Sequence, residues 1–250
     1  CALLLDAMSG QDNRDPMSKP RPVKSFLEFV REGPPKGLRI AYSKDLGITP
    51  VDPIVNTVFT DLIRKLESIS AEVEENHPDL RNAPRAFQVL RAAALAADMA
   101  ELLEDHEKNL KPELVNNIRQ GMELSAEEIG RAEVEQGHIY RKMLTFFESY
   151  DLLITPTTIV PPFDKDCRYP KEVNGHDFET YFDWFAITYA ISLTACPAIS
   201  ILAGFTEDGL PIGLQIIASP YLDANLLSVA ARIEDLLGLH VKLPINPITR

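Results

Sequence analysis

The chain has 250 residues, of which 45% are hydrophobic, an ordinary content for a globular protein large enough to bury a substantial core. Its 25 Lys and Arg stand against 37 Asp and Glu, a formal net charge of −12, and no basic run offsets it; this excludes a nucleic-acid surface built on clustered phosphate contacts. No apolar run reaches the roughly eighteen residues of a membrane-spanning helix. Cys1, Cys167 and Cys196 are too widely spaced for a disulfide framework or a metal site, which points to a reducing, cytoplasmic setting.

In chain order, residues 2–9 predict the tail of an amphipathic helix stopped by Gly10. The chain opens on Cys1 inside this helical run, which fits neither a signal peptide nor a natural start and is read as a fragment boundary. Residues 11–22 are polar and rich in Pro and Asp, hence a loop whose Asp12 and Asp15 cap its own turns. Residues 37–42, GLRIAY, predict a strand, 52–66 a helix with Asp52 as N-cap and Pro53 in its first turn, and 71–75 a second strand. This unit implies parallel pairing with a right-handed crossover, and it holds no Gly-rich phosphate loop. Residues 84–108 predict one Ala- and Leu-rich helix, with Ala92 to Ala97 small enough for close packing. The acidic residues near its end (Glu101, Glu104, Asp105 and Glu107) read as a solvated face. Ser125 and Glu128 form a capping box that opens a helix to about residue 150. On that helix Glu135 and His138 are three apart and read as a hydrogen-bonded surface pair, with no third metal ligand in view.

Residues 151–155 form a short apolar run stopped at Pro156 and predict a buried strand. Residues 161–175 read as an irregular loop carrying Cys167 as an idle thiol. An aromatic-rich helix is expected over 178–193. Residues 198–203 and 212–218 are two further apolar strands joined through the turn signal Asp208-Gly209. A closing helix spans 222–237, followed by a Pro-containing, peripheral tail. Continuous apolar runs mean strands covered on both faces. The fold class is therefore α/β, a mixed sheet with helices on both faces, without a domain boundary. Its core should include Ile154, Ile199, Ile201, Leu214 and Ile216.

TPTT after a short strand, then LTACPAISILAGF, then DGLPIGLQIIAS together resemble the C-terminal half of the amidase signature family. ALLLDAMSGQDNRDP at the start and the helix at 222–237 extend the resemblance over most of the chain. The resemblance implies a serine hydrolase of carboxamides, or a relative of the A subunit of tRNA-dependent amidotransferases. In that family a serine attacks, a second serine on a cis peptide bond relays its proton, and a neutral lysine accepts it, with Gly/Ser-rich backbone N–H groups holding the oxyanion. This chain has no Gly-Gly-Ser-Ser-type stretch, and its 12 glycines form no cluster. Ser192 and Ser200 lie near apolar elements with no lysine close in sequence. Triads assemble from distant positions, which leaves a Ser-His-Asp set open, but no G-x-S-x-G elbow is present. No catalytic residue, metal ligand or cofactor is therefore assigned.

The resemblance implies that residues 1–250 are the C-terminal portion of a single amidase domain, with the catalytic portion upstream. What remains here is substrate wall. Thr157 and Thr158 follow a strand end, where ligands of α/β sheets sit. Trp184 on the aromatic segment and Cys196 before the next strand complete the candidate set. Gln215 reads as a structural hydrogen-bonding residue of a buried strand. The expected partners are a small-molecule amide and the N-terminal half of the same protein, with pairing of two copies as the other way to cover the apolar helix at residues 3–8. The alternatives are an amidotransferase-like glutamine amidase and a non-catalytic scaffold of the same fold.

Overall fold

The computed structural model describes residues 1–239. The tail that the sequence reading placed at the periphery lies, from residue 240 on, outside the described residues. Five strands build one sheet: β1 (Arg39–Tyr42), β2 (Glu72–Glu75), β3 (Leu152–Pro156), β6 (Ala198–Phe205) and β7 (Pro211–Ala218), in the order β2-β1-β3-β7-β6. β1 runs parallel to β2 and β3, whereas β7 is antiparallel to both β3 and β6, so the sheet is mixed as expected. β4 (Glu172–Val173) and β5 (His176–Asp177) form a separate two-residue hairpin.

Alternation along the strands sends side chains to two apolar layers. Ile40, Leu152, Ile154, Leu214, Ile216 and Ala218 face one layer. It is closed by Phe59, Leu62 and Leu66 of α3 (Pro53–Leu66) and by Leu226, Val229 and Ile233 of α8 (Asp223–Leu237). Ala41, Leu153 and Ile217 face the other layer. There Ala83 and Ala86 of α4 (Ala83–His106), Ile139 and Met143 of α6 (Ala126–Ser149), and Ile187 and Ile191 of α7 (Ala186–Ser192) close the core. Of the five core residues named from sequence, Ile154, Ile201, Leu214 and Ile216 are buried, while Ile199 is half-buried at the layer's edge.

The expected caps form. The Asp52 carboxylate accepts from Ile54 N–H at 2.7 Å, with Pro53 opening α3. Ser125 and Glu128 make a reciprocal capping box at the start of α6. The β6–β7 hairpin closes through Gly209 at φ +81°, where a glycine adopts the left-handed region without strain.

Three expectations are corrected. The segment 178–182 is not helical: the Asp183 carboxylate accepts from Thr180 N–H and Oγ1, at 2.8 and 3.0 Å. That pulls the chain into a turn, so only a short 3-10 segment (Asp183–Phe185) precedes α7. The loop at 161–175 is not wholly irregular, because Asn174 and Gly175, both at positive φ, turn the β4–β5 hairpin. Two helices, α2 (Phe26–Glu32) and α5 (Pro112–Glu123), form where the sequence predicts no element. α5 packs so closely on α4 that a Cβ on Gly121 would lie 1.9 Å from the Ala92 carbonyl oxygen, the close approach expected from the alanine run.

The chain begins with α1 (Ala2–Met8). Its buried residue is Asp6, whose carboxylate accepts from Phe26 and Leu27 N–H at 2.8 and 3.0 Å and so satisfies the N-terminus of α2. α2 rests on α8, where Ser228 Oγ donates to Phe29 O. Leu3, Leu4 and Met8 are 69%, 63% and 72% exposed, so α1 turns its apolar side away from the chain's own core.

Candidate functional site

β3 is buried along its whole length and delivers Thr157 just past its carboxyl end. Thr157 N–H donates to Gly213 O at 3.0 Å, which ties the strand end to β7. Its carbonyl accepts from Thr188 Oγ1 of α7 at 2.9 Å, and its hydroxyl lies 2.7 Å from Ser200 Oγ of β6. Gly213 makes that meeting possible: a Cβ there would stand 2.7 Å from Thr157 Oγ1 and 3.2 Å from Ser200 Oγ. One step deeper, Gln215 Nε2 donates to Thr155 Oγ1 at 3.0 Å, and that hydroxyl donates to Pro156 O. Ser200, Gln215 and Thr155 are register partners across three strands. The result is a polar stripe crossing the sheet, from fully buried Thr155 to exposed Ser200.

The other three sequence candidates do not hydrogen-bond into this stripe. Thr158 Oγ1 donates to Val160 O at 2.9 Å and closes a local turn. Trp184 is half-buried in an aromatic group, with Phe163 and Phe185 ring centres 5.6 and 5.4 Å away. Cys196 packs half-buried against the core, and its N–H donates to Thr194 Oγ1. Burial pushes the Cys196 thiol up, only partly opposed by the Thr194 hydrogen bond, so it remains protonated near neutral pH. Ala195 before it sits at φ +54°, a left-handed conformation that costs a non-glycine residue about 1 kcal/mol.

Thr155, Thr188 and Ser200 are the stripe residues outside the predicted site set, Ser200 entering the sequence reading only as a serine with no lysine near it. Ile199 and Ile201 flank Ser200, and strand alternation puts it on the opposite face from Ile201, beside Gln215. That signal was present but needs the β6–β7 register to be read. The stripe is uncharged. Thr157 and Ser200 share one hydrogen bond between two hydroxyls, which leaves one O–H free to donate to a carbonyl or amide. The arrangement can hold and orient a polar group; activating a nucleophile requires a base, and none bonds to it among the described residues.

The remaining candidates keep structural partners. Cys167 Sγ donates to Tyr169 O, while the neighbouring cations Lys165 and Arg168 pair with Asp166 and Glu113. Glu135 bonds to His138 at 3.3 Å and accepts from Asn82 Nδ2. Glu107 pairs with Arg119. Asp12 and Asp15 accept from Arg14 and Met17 N–H, as loop-capping residues do. Among the described residues no group of three His, Cys, Asp or Glu could hold a metal ion, and no helix is long and apolar enough to cross a membrane.

A mixed α/β sheet, sandwiched between helices and carrying a polar stripe at the end of its central strand, defines the class. The chain belongs to the amidase family, whose model matches residues 1–227. It is 34% identical over 236 residues to an acylamidase of Rhodococcus erythropolis, covering 93% of this chain and 49% of that protein. It is 27% identical over 271 residues to the A subunit of the glutamyl-tRNA(Gln) amidotransferase of Alkaliphilus metalliredigens, covering 98% of this chain and 54% of that one. A bacterial aryl acylamidase of the amidase signature family superposes with a TM-score of 0.82 at 23% identity, over 94% of this chain and 50% of its own. A 6-aminohexanoate cyclic dimer hydrolase complexed with substrate superposes with a TM-score of 0.77 at 22% identity, over 94% and 52%. The chain thus spans about half the length of the relatives it matches.

Proposed function

We propose that this chain is the C-terminal, pocket-forming part of an amide hydrolase, which cleaves a carboxylic amide to carboxylate and ammonia or amine by the serine–serine–lysine route of the family it belongs to. The nucleophile, relay serine and lysine then come from a preceding portion of the same domain. The observation that carries this reading is the stripe itself. Thr157 and Ser200 meet at the end of the central strand, on the exposed side, with hydrogen-bonding capacity to spare and, among the described residues, no base bonded to them. A wall that orients an amide has this composition; a self-sufficient catalytic centre does not. Thr158, Trp184 and Cys196 belong to the same wall through packing rather than through hydrogen bonds. The uncovered leucines of α1 and the twofold length of the matched relatives support a covering N-terminal portion.

A reducing, cytoplasmic compartment suits three free thiols. A glutamine amidase feeding an amidotransferase is the second reading, favoured by the amidotransferase relatives. The test is to assay the chain alone and together with an N-terminal amidase half, against aliphatic amides, aryl amides and glutamine. Turnover is expected only with both parts. Turnover by the chain alone, abolished by replacing one of its own serines, would overturn the proposal. Absence of turnover with both parts, each shown to be folded, would favour the scaffold alternative.

A further inference from the structure

The β4–β5 hairpin carries a reactive pair that the polar stripe does not use. Of the chain's asparagines only Asn174 is followed by glycine. These two residues form the whole loop between the paired Val173 and His176. Both are exposed, as are Glu172, His176 and Asp177 around them. Attack by the Gly175 nitrogen on Asn174 Cγ would close a five-membered imide ring. With no Cβ on Gly175, nothing on that residue crowds the nitrogen as it approaches the Asn174 side chain.

The closed hairpin keeps the two atoms apart. Asn174 at φ +53° and Gly175 at φ +77° make the mirror-image type I′ turn. In that turn the first central residue has a ψ of about +30°, which points the following nitrogen away from Cβ. To reach Cγ, the Gly175 nitrogen must swing through roughly half a turn about the Asn174 Cα–C bond, and the swing breaks the Val173–His176 pairing. Gly175 N–H also donates to Glu172 Oε1. That bond belongs to the closed turn, so the carboxylate anchors the nitrogen rather than activating it. The hold is local. Each strand has two residues, and of the four only Val173 is buried, in the core layer closed by α4, α6 and α7. So small a ladder opens without the rest of the molecule.

We propose that Asn174 is a site of spontaneous deamidation, held back by the closed hairpin and Glu172, and that reaction there fixes the hairpin open. The Gly175 nitrogen gives up its proton and bonds to Asn174 Cγ. The Cγ–Nδ2 bond breaks, and Nδ2 leaves with that proton as ammonia. Water then opens the ring. Breaking the new Cγ–N bond leaves aspartate at position 174. Breaking the bond from the main-chain carbonyl carbon to the same nitrogen leaves isoaspartate, whose main chain runs through Cβ and Cγ. Either product adds a carboxylate to a tip where Glu172 and Asp177 already oppose each other across the pair. The isoaspartyl main chain is also one carbon longer, so the two-residue loop no longer fits the Val173–His176 register. The inference concerns the covalent state of the chain and needs no turnover, so it stands apart from the hydrolase reading.

The test is to age the purified protein at neutral pH, with and without urea, and to follow the peptide spanning residue 174 by mass spectrometry, separating the aspartyl and isoaspartyl products by chromatography. In urea, Asn174 should convert ahead of every other asparagine. Without urea it should convert at least about tenfold more slowly, since a tenfold fall in the open fraction takes only about 1.4 kcal/mol. Glu172→Ala should speed the native conversion about threefold or more, the share of a hydrogen bond to a charged group that survives solvent exposure. Trypsin should cut the converted fraction after exposed Lys171 before it cuts the unconverted one. Asn174 unconverted in urea or outpaced by another asparagine, native conversion as fast as in urea, unchanged or slower conversion in Glu172→Ala, or equal cleavage of the two fractions would each overturn the proposal. The comparison with urea needs no variant, so a variant that fails to fold leaves it intact. Amidase assays report separately, so a failure here leaves the hydrolase reading where it stood.

Discussion

Gly121→Ala is the sharpest test of how α4 and α5 are held together. The added Cβ would lie 1.9 Å from Ala92 O, 2.6 Å from Ala92 C and 2.8 Å from Ala96 Cβ. Two of these atoms are helix backbone and cannot swing aside, and real Cβ atoms essentially never come within 3.0 Å of a neighbour. The helices must therefore separate by about 1 Å, and a gap of that size forfeits a quarter to a half of each dispersion contact across the seam. Overpacking of this kind costs about 1–3 kcal/mol, against a gain of about 1 kcal/mol from replacing Gly by Ala within a helix. With the dispersion loss added, the net expectation is a destabilisation of about 2 kcal/mol. Urea unfolding should show a lower midpoint at unchanged slope. Gly130→Ala in α6 is the control: nothing lies within 4 Å of its Cβ, so it should gain roughly 0.5–1 kcal/mol. If Gly121→Ala matched Gly130→Ala, the close crossing of α4 on α5 would be refuted.

Gly213→Ala should rotate the Thr157 hydroxyl away from Ser200 and cost about 1 kcal/mol, one hydrogen bond's worth, in urea unfolding; a variant as stable as the parent would mean the two hydroxyls are not locked over that glycine. Leu3→Ser combined with Leu4→Ser should leave the chain's own stability within about 0.5 kcal/mol, since both side chains face outward, while abolishing co-purification with an N-terminal amidase half; a large loss of stability in the isolated chain would show that α1 packs inward. Burial pushes the Asp151 carboxyl up, but the side-chain and backbone hydrogen bonds from Arg39 together outweigh it and hold the group below the usual range. A depressed folded pKa means that this stabilisation is complete above the unfolded value near 3.9 and fades as pH falls through the lower folded value. Arg39→Gln should therefore cost at most about 1 kcal/mol at pH 7 for so exposed a pair and progressively less below pH 4, so a cost that grew on acidification would refute the assignment.

The sheet was legible because its strands are apolar runs punctuated by Pro156 and Asp208-Gly209, and such runs have few other uses. α3 and α6 were legible through their caps. α2 carries the same Ser-x-x-Glu box as α6, at Ser25 and Glu28, yet with only seven residues it presents no periodic stripe to confirm the cap. α5 is half polar and its inner side mixes an amide and a glycine, Asn117 and Gly121, with Val115 and Ile118, so no apolar stripe marks it until α4 is placed against it. Aromatic spacing suggested a longer helix over 178–193, and a local bond invisible to periodicity, Thr180 to Asp183, broke it. In the candidate site, Thr157 was readable as the residue after a strand end. Its partners were not: Ser200, Thr188 and Gly213 come from three other elements, and their convergence depends on a register with an irregularity between Leu202 and Gly204.

The two rims of the sheet differ in what they repel. Along β2, Glu72, Glu74 and Glu75 present three exposed carboxylates, so a strand of a like chain approaching that rim meets its own charge. Along β6 the run AISILAG carries no charge, so electrostatics sets no such condition there. Neutralising β2 would therefore remove a guard against edge pairing without touching a single core side chain.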